Sequence, residues 1–183
     1  MKYFKILLLS LFFVVAGCAT KGNFKDKLSD DYTKRTSYTV MGLGGAPLGY
    51  GMKNLAPKID ADVYSRHKGS EIYNDIATKV RLGKLKRPLT LVGHSMGGGV
   101  VAKIAERLCK DGIKTDYMVI IDAPLHPKVS KCVGKVDQFV TTGGGIGKRL
   151  SRGSYIVIDD VSHVALGDHP KVHSRIIKVR RSL

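Results

Sequence analysis

One serine in this 183-residue chain stands among glycines at a spacing that chemistry can use. In "LVGHSMGG", Gly93, Ser95 and Gly97 form a G-x-S-x-G pattern. The pattern is cheap in a chain with 21 glycines, so its surroundings must decide what it means. Before it runs "PLTLVGH", nearly all apolar, as expected of a strand covered on both faces of a parallel sheet. After it, "GGVVAKIAERLCK" sets Val100, Val101, Ile104, Ala105 and Leu108 on one helical stripe. Ser95 is therefore expected at a sharp, strained strand-to-helix turn. Gly93 and Gly97 would fall where a side chain collides with neighbouring backbone. Such a turn raises the hydroxyl above the C-terminal edge of the sheet. It also aims the free N–H groups of the helix at developing negative charge.

A serine hydroxyl needs a base before it attacks anything. Of six histidines, His163 is the best placed, in the short loop "VSHVALGDHPKV" after the strand "SYIVIDD". His169 is the alternative, though its position suits the start of the last helix. His94 adjoins Ser95, but side chains alternate along a strand, so it is expected to face away. His67 precedes the turn, His126 lies just past Asp122, and His173 falls inside the last helix. The base in turn needs a carboxylate to fix its tautomer. Asp122 ends "DYMVIID" and is followed by Ala123 and Pro124, which break the strand. Asp160 is the second choice. Asp159 suits a strand end or loop, and Asp137 comes too early in its strand. "VTTGGG" offers no acid. Neither a metal nor an organic cofactor is implied.

The elements that must carry these residues alternate. "SYTVMGL" predicts a strand reaching Gly44 and Gly45, "GMKNLAPKI" a short helix interrupted or ended by Pro57, and "ADVYSR" a strand. "SEIYNDIATKV" has helical spacing. "KVDQFVTT" is a weaker strand, and an amphipathic helix starts near Pro170. Alternating strands and helices predict an α/β fold, a three-layer sandwich around a mostly parallel sheet of about six strands.

The beginning of the chain reads differently. Lys2 and Lys5 precede the apolar run "ILLLSLFFVVAG", too short for a comfortable membrane span. It ends in "VAGC", which resembles the lipobox of bacterial lipoproteins. That resemblance implies a signal peptide over residues 1–17 and lipid on Cys18; an ordinary secretory signal is the alternative. Residues 18–36 would be a lipidated, polar tether and 37–183 the folded domain. Ala19 after the cysteine is similar to outer-membrane sorting in a Gram-negative cell, so the expected location is the bacterial cell envelope. Export would also permit Cys109 and Cys132 to pair; two buried thiols that never meet is the other possibility.

The net charge is +16, and about +14 without the signal segment. Its basic residues are scattered, with one modest cluster, "KVHSRIIKVRR", and no nucleic-acid recognition motif. Anionic lipid head groups are the expected partner of this charge, not nucleic acid.

The order Ser95, Asp122, His163, together with "GLGGAPLGYGM", "VIIDAP" and "SHVALGDHPKV", resembles the α/β-hydrolase superfamily, in particular small bacterial lipase- or esterase-like members. The resemblance covers residues 37–183 and implies a minimal α/β-hydrolase fold with a Ser-His-Asp triad acting on an ester or thioester through an acyl-enzyme. It implies an oxyanion hole made by the N–H of Met96 and that of Leu43 or Gly44. Two departures stand out: the acid follows an earlier strand than is usual, and the oxyanion loop reads "GLGGAP". With no insertion long enough for a substantial lid, an open cleft is expected. The competing reading keeps the fold without the chemistry, as a binding or scaffolding lipoprotein.

Overall fold

The computed structural model describes residues 35–43, 49–124 and 127–183. The signal segment, Cys18, most of the tether, Gly44 and His126 lie outside the described residues. Six strands, β1 (Ser37–Val40), β2 (Ala61–Tyr64), β3 (Thr90–His94), β4 (Thr115–Ile121), β5 (Val133–Gly143) and β6 (Ser154–Ser162), form one sheet in the order β2-β1-β3-β4-β5-β6. Every neighbouring pair is parallel. Among the described residues five helices accompany them: α1 (Tyr50–Leu55), α2 (Gly69–Arg81), α3 (Met96–Lys110), the single turn α4 (His163–Leu166) and α5 (Pro170–Arg181).

The alternation of strand residues decides which helix lies where. On one face Leu91, Met118 and Ile120 pack with Ile72 and Ile76 of α2 and Val101, Ile104 and Leu108 of α3. On the other, Val92, Val119 and Ile121 pack with Met52 and Leu55 of α1, Leu166 of α4, and Val172 and Ile176 of α5. Both faces of the central strands are thus covered, which is why β3 and β4 read as unbroken apolar runs. The three-layer expectation holds, with all six strands parallel.

Two local expectations are corrected and a third is refined. β1 stops at Val40, short of Gly44, because its parallel partner β2 ends at Tyr64. At Pro57 the helix is interrupted, as expected, and not ended: α1 passes into a 3-10 turn, Ala56–Ile59, with the proline in its first turn, where its missing N–H costs nothing. The "weaker" strand, β5, is the longest at 11 residues, buried between β4 and β6. Its polar residues, which argue against a buried strand, are buried but bonded at Asp137 and Gln138. Tyr117 Oη donates to Asp137 Oδ2 at 2.8 Å, as does Arg175 Nε at 2.8 Å. Burial would raise the Asp137 pKa, but these donors outweigh it and hold the carboxyl below its ordinary value. Cys109, near the end of α3, and Cys132, just before β5, are joined in a disulfide with Cα atoms 5.4 Å apart.

The strand order changes direction between β1 and β3, since β2 lies on one side of β1 and β3 to β6 on the other. Ligands of open α/β sheets bind beyond the C-terminal strand ends at such a point. The register places Val40 opposite Gly93, His94 opposite Ile121, and Ile121 opposite Phe139. The loops after β1, β3 and β4 therefore leave the sheet at one level.

Candidate active site

Ser95 follows β3 at that level with φ 54° and ψ −129°, a conformation that costs a non-glycine residue on the order of 1–3 kcal/mol. The ladder holds it there. Ser95 N–H donates to the Ile121 carbonyl at 2.8 Å, and its own carbonyl accepts from Gly98 N at 2.9 Å as α3 begins. The flanking glycines permit the turn. A Cβ on Gly93 would lie 2.4 Å from the Gly97 carbonyl oxygen, and one on Gly97 would lie 2.2 Å from that of Val40. Met96 opens α3, so its N–H is among those without a partner inside the helix.

Asp122 is held by the same device one strand over. Its N–H donates to the Phe139 carbonyl at 2.8 Å, and φ is 43°. The carboxylate is fully buried and accepts from Gly147 N at 2.7 Å and Ile146 N at 3.1 Å. Its remaining oxygen, Oδ2, accepts from His163 Nδ1 at 2.6 Å. The histidine is the first residue of α4, not a loop residue, and its side chain is 24 % exposed. Ser162 caps this turn by accepting from Ala165 N at 3.2 Å. Asp122 and His163 are thereby paired, with Nε2 of the imidazole left available.

The alternatives go elsewhere. His169 caps α5, its Nδ1 accepting from Lys171 N at 3.2 Å. His173 is buried, with Nε2 donating to the Gly167 carbonyl at 2.9 Å. His67 is exposed in the turn before α2. Asp159 is exposed on β6 and accepts from Thr142 Oγ1 at 3.2 Å; Asp160 is exposed beside it. Asp137 serves Arg175 and Tyr117, as described above.

His94 takes the side of the sheet that alternation along β3 assigns to it, facing away from α3 as expected, and there it lies beside His163. The two rings stack with centroids 4.9 Å apart, and His94 Nε2 donates to the His163 carbonyl at 2.9 Å. The reason is that α4 packs in the α1/α5 layer through Leu166, so His163 comes over the sheet edge from the side on which His94 lies. Two further contributors went unrecognised. The glycine-rich loop after β5 supplies no acid but supplies the N–H groups that hold one. A Cβ at Gly147 would sit 2.7 Å from Asp122 Oδ1. Gly42 touches the serine itself: a Cβ there would be 2.6 Å from Ser95 Cβ and 3.0 Å from Oγ. The glycine runs "GLGG" and "GGGIG" were the available signals. The loop carrying Gly42 continues to Leu43, which is exposed.

No family model matches this chain, and no curated protein matches it in sequence. Solved structures do match its fold. A Xanthomonas campestris pv. campestris protein assigned to the α/β superfamily of hydrolases aligns with a TM-score of 0.56 at 14 % identity, covering 80 % of this chain and 98 % of that one. The NocB thioesterase domain, in covalent complex with a fluorophosphonate nocardicin G analogue, aligns with a TM-score of 0.56 at 15 % identity over 84 % of this chain and 96 % of that one. A hyperthermophilic esterase from the archaeon Pyrobaculum calidifontis gives 0.56 at 12 % identity over 81 % and 74 %. The fold is thus α/β-hydrolase-like.

Proposed function

We propose that this protein is a serine hydrolase that cleaves carboxylic esters or thioesters, tethered to the bacterial cell envelope by lipid on Cys18. The observation that carries the reading is the 2.6 Å bond from His163 to buried Asp122, at the same sheet edge as the strained turn at Ser95. A fold shared with thioesterase and esterase structures agrees with it.

In this mechanism His163 Nε2 takes the proton of Ser95 Oγ as the oxygen attacks the acyl carbonyl. Nδ1–H stays on the Asp122 carboxylate, which stabilises the imidazolium that forms. The N–H of Met96 and one from the loop after β1, at Leu43 or Gly44, bind the oxyanion. Collapse of the tetrahedral adduct breaks the bond to the alcohol or thiol, which leaves with the proton from Nε2. Water, deprotonated by the same nitrogen, then releases the acid and restores Ser95.

A fluorophosphonate probe tests this on the purified full-length chain. Wild type is expected to be labelled and Ser95→Ala and His163→Ala not, with circular dichroism showing each folded. Labelling that persists in Ser95→Ala, or a folded wild type that takes no label, overturns the reading. Incorporation of labelled palmitate that is lost in Cys18→Ser checks the anchor separately.

A further inference from the structure

A groove of about 470 Å³ runs from Met96 along α3 as far as Glu106. Its floor is apolar: Met96 and Val100 from α3, with Pro124 and Pro127 from the loop after β4. The turn before α2 and the start of that helix border it, and a Cβ on Gly69 would lie 3.0 Å from Val100 Cγ1. Three cationic side chains from separate segments converge on it: Arg66 from that turn, Lys103 from α3 and Lys128 from the loop after β4.

Neighbouring basic residues are engaged. Arg107 lies over the Tyr73 ring at 3.8 Å, Lys68 pairs with Glu71 at 2.6 Å, and Lys110 reaches Glu106 at 3.6 Å. Arg66, Lys103 and Lys128 have no ion pair or aromatic partner among the described residues. Among the described residues, Glu106 is the one acid lining the groove. The positive end of the α3 dipole adds to the same field. Like charges brought together around an apolar floor repel one another, and an anion seated among them removes that repulsion.

We propose that this groove is a substrate subsite that binds an arm with an apolar stem and an anionic end group, a carboxylate or a phosphate. The inference rests on the hydrolase reading above: an ester carbonyl at Ser95 would lay one arm past Met96, with its stem over Val100 and the prolines and its charge among the three cations. The substrate class is thereby narrowed to anionic amphiphilic esters or thioesters.

The test uses the full-length chain in neutral detergent and esters of matched length ending in methyl, carboxylate or phosphate. One set carries the end group on the acyl arm, the other on the alcohol arm. In one set, an anionic ester is expected to exceed its methyl counterpart about tenfold in kcat/KM, mainly through KM, as one or two charge-assisted contacts would give. Comparison of carboxylate with phosphate tells which anion the cations favour. The preference should fall to about twofold at roughly 0.5 M salt, where the Debye length is about 4 Å. It should vanish in R66Q/K103Q/K128Q and survive in R66K/K103R/K128R, each read against the neutral ester in the same protein. Neutral esters preferred in both sets, a preference that salt leaves unchanged, or one that persists in the glutamine variant overturns the subsite. A wild type that takes no fluorophosphonate overturns the hydrolase reading instead, so the two failures are distinct.

Discussion

His94 lies stacked against His163 with an interplanar angle of 29°, and its Nε2–H ends on the backbone carbonyl of the residue whose ring it supports. This gives the imidazole of His163 two restraints, Asp122 at Nδ1 and a flat neighbour along its face. Burial lowers the His94 pKa below the ordinary imidazole value, against the pull of the His163 carbonyl and of Asp122. His94 therefore stays neutral near pH 7, and its presence adds no charge to repel an imidazolium formed on His163.

A pH dependence of stability follows from the same burial. His173 is also lowered, first by burial, and then by Lys58, whose ammonium stands 3.2 Å from its Nδ1. For both groups the folded pKa lies below the unfolded one, so the unfolded chain binds more protons as pH falls. Their stabilisation is full above about pH 6.5 and is lost as the pH drops through the lowered values. Melting temperature should thus decline from roughly pH 6.5 towards pH 5, and His94→Phe and His173→Phe should each flatten that decline. A slope left unchanged in both variants would show that these rings do not govern acid stability.

Asp122→Asn isolates the role of the carboxylate. Asparagine tolerates the left-handed backbone that φ 43° requires, and its side-chain oxygen can still accept from Gly147 N–H. The fold should therefore survive, with circular dichroism and melting close to wild type. The amide cannot stabilise an imidazolium, and it can hold His163 in the wrong tautomer. Turnover of a neutral ester should drop by roughly 10³–10⁴. A loss of less than about tenfold would remove Asp122 from the mechanism, whatever its distance from His163.

Patterns that repeat along the chain revealed the layers, whereas contacts made across the sheet edge stayed hidden. Strands buried on both faces and the α3 stripe are periodic properties, so β3, β4 and their helices could be read from residue types. Ser95, Asp122 and His163 could be nominated because each directly follows a strand at a parallel sheet's C-terminal end. The stacking of His94 depends on which layer α4 joins, and Leu166 decides that through packing, not spacing. The length of β5 was hidden by Asp137 and Gln138, whose polarity argues against burial until Arg175, Tyr117 and the Lys148 carbonyl are seen bonded to them. The loop "GGGIG" looked empty because its contribution is backbone N–H, which no side chain announces.

Gly42 offers the sharpest separation of site from scaffold. It lies in the loop after β1, outside any strand or helix, so the backbone does not need glycine for regular structure there. What needs it is the serine. An alanine methyl would press on Ser95 Cβ at 2.6 Å and stand 3.2 Å from the His94 carbonyl oxygen. Because the ladder bond from Ser95 N to Ile121 pins the turn, the strain falls on the small loop and on the position of Oγ. Overpacking of this kind costs about 1–3 kcal/mol. In a domain of this size that lowers the melting temperature by roughly 2–12 °C. The fluorophosphonate labelling rate should fall much further, by more than about tenfold, since in the proposed mechanism displacing Oγ by a fraction of an ångström removes it from attack geometry. Labelling at the wild-type rate in Gly42→Ala would mean that the loop yields freely, and that its close approach to Ser95 does not set the position of the hydroxyl.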